Sequence, residues 1–169
     1  AYVTFRDITA QVHAEEALRE SEEKYRMLVE TTSDFIWEVD SSAVYTYVSP
    51  QVCQILGYEP GELIGKTPFD IMPPGEAKRI SAEFRRYVAS RLPITSLENK
   101  ALKKDGSVVI LETSGVIRTA NDGSYLGYRG IDRDITVRKH AEEALRESEA
   151  RLSSILHGSP VLQFVIDRN

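Results

Sequence analysis

Three histidines, one cysteine and a scatter of carboxylates are the side chains of this 169-residue sequence with the intrinsic reactivity for catalysis or metal binding. His13 and His140 share the same surroundings, each followed by Ala-Glu-Glu, and His157 stands apart. No His/Cys set has the spacing of a metal site. No glycine-rich loop is present to cradle a phosphate, and no nucleophile has a plausible base beside it. Glu15-Glu16 and Glu142-Glu143 read as a solvated helix face rather than as general acids. Cys53 falls among Val52, Ile55 and Leu56, the setting of an inert core thiol. Arg129, on a strand flanked by Gly127 and Gly130, carries a guanidinium suited to a carboxylate or phosphate, or to a surface acid. The set offers groups for binding and none for catalysis.

Composition narrows the classes further. A hydrophobic share of 41% and a charged share of 28% are those of a globular domain. The net charge of −5 argues against a nucleic-acid partner, which asks for a basic stripe. One cysteine excludes an internal disulfide and fits a reducing, cytoplasmic compartment. No apolar run approaches the ~20 residues of a membrane helix, and no signal segment stands at Ala1. The fragment is expected to make no membrane contact, although a membrane could anchor its parent protein elsewhere.

An internal repeat sets the organisation. The stretch from Asp7 to Glu22 returns from Asp134 to Glu149, an offset of 127 residues, with 13 of 16 positions identical. That period suits a whole domain plus a linker rather than a solenoid. The two copies therefore bracket one complete unit. Upstream, Tyr2-Val3-Thr4-Phe5-Arg6 reads as the last strand of a preceding unit. Downstream, Val161-Leu162-Gln163-Phe164-Val165-Ile166-Asp167 stands at the same offset from Asp34 to Asp40 and reads as the first strand of the next. The repeated segment is helical: Thr9 and Thr136 serve as N-caps, and the runs that follow lack Gly and Pro. Ala14, Leu18, Ser21, Tyr25 and Leu28, and again Ala141, Leu145, Ser148, Leu152 and Ile155, are spaced alternately by four and three, a heptad seam. The seam predicts a parallel homodimer through the linker helices; a single amphipathic helix packed on its own domain is the alternative.

Between the copies the pattern turns to strands. Phe35, Trp37 and Val39 alternate with Ile36, Glu38 and Asp40, and a turn at Asp40-Ser41-Ser42 leads into a second strand over 44–48. Ser49 is placed to cap a short helix with Pro50 at its first position; Val52, Ile55 and Leu56 line its buried side, and Gly57 ends it. Further helical turns are predicted over 59–65 and 69–72. A longer helix over 75–90 puts Ala77, Ile80, Phe84, Tyr87 and Val88 on one face. Strands follow over 96–103, 107–119 and 125–135, joined by Lys104-Asp105-Gly106 and Asn121-Asp122-Gly123. Strands split by a helical insert predict an α+β fold, a five-stranded antiparallel sheet with short helices on one face and linker helices at either end.

Tyr47-Val48-Ser49-Pro50, Ile55-Leu56-Gly57-Tyr58 and Glu62-Leu63-Ile64-Gly65-Lys66 resemble the front half of a PAS domain. Lys103-Lys104-Asp105-Gly106-Ser107 and Gly130-Ile131-Asp132-Arg133-Asp134-Ile135-Thr136 resemble its back half, of the PAS/PAC type. The resemblance implies a multi-PAS prokaryotic sensor protein, such as a sensor histidine kinase or diguanylate cyclase. Residues 1–9 would end one PAS unit, 10–30 form a signalling helix, 31–136 a complete PAS domain, 137–157 a second helix, and 158–169 the start of the next unit.

The resemblance also implies a small enclosed pocket. Light-sensing flavin members carry a reactive Cys before the long helix, and residues 69–79 hold none. Haem members use a His on that helix; residues 75–90 hold none, which leaves Met72 as a remote iron ligand. A non-covalent flavin or a small metabolite stays open, with Trp37, Tyr47, Phe84 and Tyr87 as aromatic lining and Asn99, Thr113 and Arg129 as polar contacts. The alternative is that the aromatics fill the core, the polar residues face water and no cofactor binds. In the family an Asp-Ile-Thr trio couples the last strand to the exit helix, a role that falls here on Asp134, Ile135 and Thr136. The expected function is a non-catalytic sensing or relay module with neighbouring PAS and output domains as partners; a ligand-free spacer and dimerisation module is the alternative. A phosphoacceptor role does not fit, because His140-Ala141-Glu142-Glu143 lacks the acid, apolar and basic succession that follows such a histidine.

Overall fold

The computed structural model describes residues 9–158. A helix, α1 (Thr9–Thr31), precedes the strands β1 (Phe35–Val39) and β2 (Tyr45–Val48). The short helices α2 (Val52–Leu56) and α3 (Pro60–Leu63), a 3₁₀ turn (Pro68–Ile71) and the long α4 (Pro74–Ser90) follow. The chain then forms β3 (Ile94–Leu102), β4 (Val108–Thr119) and β5 (Tyr125–Asp134), and continues as α5 (Thr136–Gly158). The expected strands at 2–6 and 161–167 lie outside the described residues.

The five strands make one antiparallel sheet in the order β2-β1-β5-β4-β3, the α+β architecture expected from the sequence. Its ends are built by local chemistry. Asp40 Oδ1 accepts from the backbone N–H of Ser42 at 2.8 Å and of Val44 at 2.9 Å, which closes the β1–β2 turn. Asp105 and Asp122 tie the next two hairpins by accepting from the N–H of Ser107 at 2.8 Å and of Ser124 at 2.9 Å. Gly106 and Gly123 supply the positive φ these turns need, +85° and +79°.

One sheet face carries Phe35, Trp37, Val39, Tyr45, Leu111 and Tyr128, all buried against the helical insert through Val52, Leu56, Leu63 and Ile71. Burying an aliphatic or aromatic side chain of this kind contributes roughly 1.5–3 kcal/mol each. The insert is itself held by reciprocal caps. Glu59 and Glu62 form a capping box on α3, and Thr67 and Asp70 form one on the 3₁₀ turn.

Three local expectations are corrected. Ser49 does not cap α2, whose first helical residue is Val52. It is drawn instead into the sheet, donating its N–H to Ile36 O at 2.8 Å and accepting the Ile36 N–H on Oγ at 2.9 Å. The long helix begins at Pro74, one residue earlier than expected, because proline is suited to a first helical position. Thr136 is the first residue of α5 rather than its cap.

Candidate functional site

The buried face of the sheet and the insert enclose a cavity of about 50 Å³. Its floor is set by Trp37. The indole lies over Gly130 and Gly115, which pair with one another across β5 and β4. A Cβ on Gly130 would stand 2.5 Å from Trp37 Cζ2, and one on Gly115 would stand 3.2 Å from Trp37 Cη2. The absence of a side chain at Gly130 lets the ring approach β5, and Gly115 leaves it close room on β4.

The ring thereby reaches Asp132, two residues beyond Gly130 on β5, and its Nε1–H donates to Asp132 Oδ1 at 2.9 Å. The Thr113 hydroxyl, paired with Asp132 across the β4–β5 ladder, also hydrogen-bonds the carboxyl. Thr113 Oγ1 in turn accepts from Asn99 Nδ2 at 2.7 Å. The chain Asn99–Thr113–Asp132–Trp37 thus spans β3, β4, β5 and β1, and all four residues line the cavity. Opposite this polar row stand Phe69, Ile71, Met72, Ile80 and Phe84 from the insert, an apolar wall.

Burial pushes the Asp132 carboxyl up to about 6; Thr113 and Trp37 pull it down, and nearby Asp34 adds repulsion. Burial, with Asp132 alongside, holds the Tyr45 phenol well above its ordinary value. Asp34 is engaged by its neighbour, accepting from Arg133 Nη2 at 2.9 Å. No cation pairs with Asp132 among the described residues, although an unpaired buried carboxylate is costly. Asn99 Oδ1 is also buried without a hydrogen-bond partner.

Four of the seven expected pocket residues, Trp37, Asn99, Thr113 and Phe84, line this cavity; Tyr47, Tyr87 and Arg129 do not. A bulge in the β1–β2 ladder pairs Val39 with Tyr45 but Glu38 with Tyr47. The extra residue places Tyr47 with the outward-facing Glu38 and gives the cavity Tyr45 instead. Tyr87 follows Phe84 by one helical turn and packs on the core beside Tyr128, whose hydroxyl donates to Leu92 O at 2.8 Å. Arg129 alternates with Tyr128 and Gly130 onto the outer face, where it and Arg118 bracket the Glu38 carboxylate. The surface-acid alternative describes it.

Asp132, the central polar group, was hidden because an acid in a strand reads as solvent-facing. The discoverable signal was register: Tyr128, Gly130 and Asp132 share one face, and Tyr128 belongs to the core. Cys53 is half-buried beside Glu59, outside the cavity. His13 and His140 are exposed on their helices. Among the described residues no three His, Cys, Asp or Glu converge as metal ligands, and no helix is long and apolar enough to cross a membrane.

A flavin or haem does not fit the cavity as it stands, since pockets for ligands of that size run to roughly 300–1,000 Å³. Met72 lines the cavity, but the surrounding volume leaves no place for a porphyrin.

A five-stranded antiparallel sheet with a helical insert over a small cavity is the architecture of PAS sensory domains. The sequence profile of the PAS fold matches residues 29–140, and the chain belongs to that family. It is 31% identical over 163 residues to the uncharacterised protein y4lL of Sinorhizobium fredii, covering 96% of this chain and 20% of that one. It is 27% identical over 164 residues to the methyl sulfide methyltransferase-associated sensor of Methanosarcina acetivorans, covering 93% of this chain and 16% of that one. The chain therefore spans about a fifth or less of these curated relatives. Among solved structures, the PAS domain of a Colwellia psychrerythraea protein superposes with a TM-score of 0.61 at 24% identity, covering 68% of this chain and 96% of that one. A sensory box histidine kinase/response regulator from Burkholderia thailandensis gives 0.62 at 24% identity, covering 77% and 98%.

Proposed function

We propose that this chain is the sensing and relay module of a longer cytoplasmic signalling protein, in which the state of the cavity passes through β5 to the exit helix. The observation that carries the reading is the layout of one strand. β5 holds Asp132 in the cavity and ends at Asp134, and α5 begins at Thr136. A change at Asp132 therefore acts on backbone only a few residues from the helix start. Asp134 near the positive end of the helix favours that junction electrostatically.

The helices support a dimeric relay. Leu18 on α1 and Leu145 and Leu152 on α5 are each about 60% exposed, although leucine gains from burial. These are the positions the heptad spacing assigns to a seam, so a second copy is the fitting partner. The repeat of 127 residues supports a tandem array with like units on either side and 31–136 as the complete one. A histidine kinase would be a fitting output, in keeping with the name of the Burkholderia neighbour, and a diguanylate cyclase with that of a Marinobacter aquaeolei neighbour.

The test is Asp134→Ala in the full-length protein. Output should become independent of the stimulus while the domain melts as before; regulation that stays intact would overturn the relay. A spacer that binds nothing draws support from the small cavity volume, and mass spectrometry of the purified protein separates the two readings.

A further inference from the structure

We infer that the cavity takes a small protonated amine, its ammonium seated between the Asp132 carboxylate and Asn99 Oδ1 and its short apolar body against Phe84 and Met72. The inference rests on the sensing role above and names the class of molecule sensed. Two buried acceptors lack what such a ligand brings. Asn99 is 3% exposed, its amide nitrogen is committed to Thr113 and Leu97 O, and its oxygen has no donor. Asp132 is 6% exposed and receives two neutral donors but no cation. The titratable groups around it, Asp34 and Tyr45, carry no positive charge. An ammonium has three N–H donors and the compensating charge.

The internal repeat varies at both positions of this polar pair. At the 127-residue offset the preceding unit has Phe5 where this one has Asp132, and the following unit has Phe164 where this one has Trp37. In sequence, each flanking repeat thus has an apolar residue at one of the two positions. A buried carboxylate kept where the preceding repeat has phenylalanine is in keeping with a binding role, since a well-packed hydrophobe at such a site is often the more stabilising choice.

Size limits the ligand. A cavity of about 150 Å³ takes up benzene, so one near 50 Å³ admits a body of roughly two to four heavy atoms. Methylamine, ethylamine and n-propylamine span that range.

Trp37 is the sole tryptophan, so its indole N–H resonance reports the site directly. The fragment should be titrated at pH 7.5 with each amine, with n-propanol and with propionate. The expected result is a saturable indole shift with at least one amine, at least tenfold weaker binding of the alcohol, and none of propionate. Asp132→Asn, which keeps the side-chain shape, should abolish the amine response, and Asn99→Leu should weaken it about tenfold. Equal affinity for amine and alcohol, saturable propionate binding, or no saturable response to any of the amines would each overturn the inference. The titration reads binding alone and the Asp134 experiment reads coupling, so failure of one is distinct from failure of the other.

Discussion

Trp37 and Asp132, 95 positions apart in sequence, are joined by an indole-to-carboxylate hydrogen bond of 2.9 Å that crosses the β1–β5 ladder inside the cavity. The bond fastens the first strand of the domain to the strand that runs into the exit helix. It also leaves a carboxylate buried without a countercharge, and several consequences follow from that arrangement.

The first concerns pH. The Asp132 carboxyl is pushed up to about 6, above its ordinary value near 4. Its protonated form is therefore favoured in the folded state, so its contribution to stability is full below about pH 4 and is lost as pH rises through 6. Asp132→Asn does not titrate. The variant should gain on the wild type as pH rises from about 4 to 8, by up to about 3 kcal/mol in all, roughly half of it above pH 5. Urea denaturation of both proteins across that range measures it, and a pH-independent difference would contradict the burial argument.

Removing the indole donor should act in the opposite direction on the same group. Trp37→Phe takes one favourable hydrogen bond from the ionised carboxylate, so the Asp132 pKa should rise further. The variant should lose about 1–3 kcal/mol at pH 8 and less at pH 5. Carboxyl-carbon NMR of Asp132 would follow the shift; an unmoved titration would show that the bond carries little of the charge stabilisation.

The glycine floor predicts a contrast between two similar substitutions. Gly130→Ala would bring a Cβ to 2.4 Å from Ser114 O and 2.5 Å from the indole, so it should cost about 1–3 kcal/mol or more. Gly75→Ala, in the first turn of α4 with open space around it, should be neutral or stabilising by about 0.5–1 kcal/mol. Thermal melts of the pair decide whether the close approach of the Ser114 carbonyl and the indole to Gly130 sets the requirement.

If the exposed leucines form a dimer seam, charge placed there should dissolve it. Leu145→Asp with Leu152→Asp should convert a dimer to a monomer in light scattering while leaving the domain's melting temperature within a few degrees. A wild type that is already monomeric at 100 µM or above would remove the seam.

The order of elements was legible because turn chemistry is local. Asp40-Ser41-Ser42, Lys104-Asp105-Gly106 and Asn121-Asp122-Gly123 each mark a reversal through their own side chains or backbone, and the alternation of Phe35, Trp37 and Val39 needs no tertiary knowledge. The outward turn of Tyr47 was not legible, since one extra residue in β2 reverses its face and nothing in Val44-Tyr45-Thr46-Tyr47-Val48 announces the bulge. Asp132 stayed hidden for a different reason. Its burial depends on partners from three other strands, and a period-two reading assigns a carboxylate to water. The pocket aromatics divided along the same line: Phe84 follows from the helix period, whereas Tyr87 lies on the same predicted face but one turn too far along it.

Hydrogen exchange of the fragment, wild type against Asp132→Asn, is the most direct examination of the link between cavity and helix. With Asp34 and Arg133 left intact, the account predicts altered exchange of the amides at 137–145 on α5 along with those lining the cavity. Changes confined to the sheet and insert, with α5 exchanging as in the wild type, would contradict it.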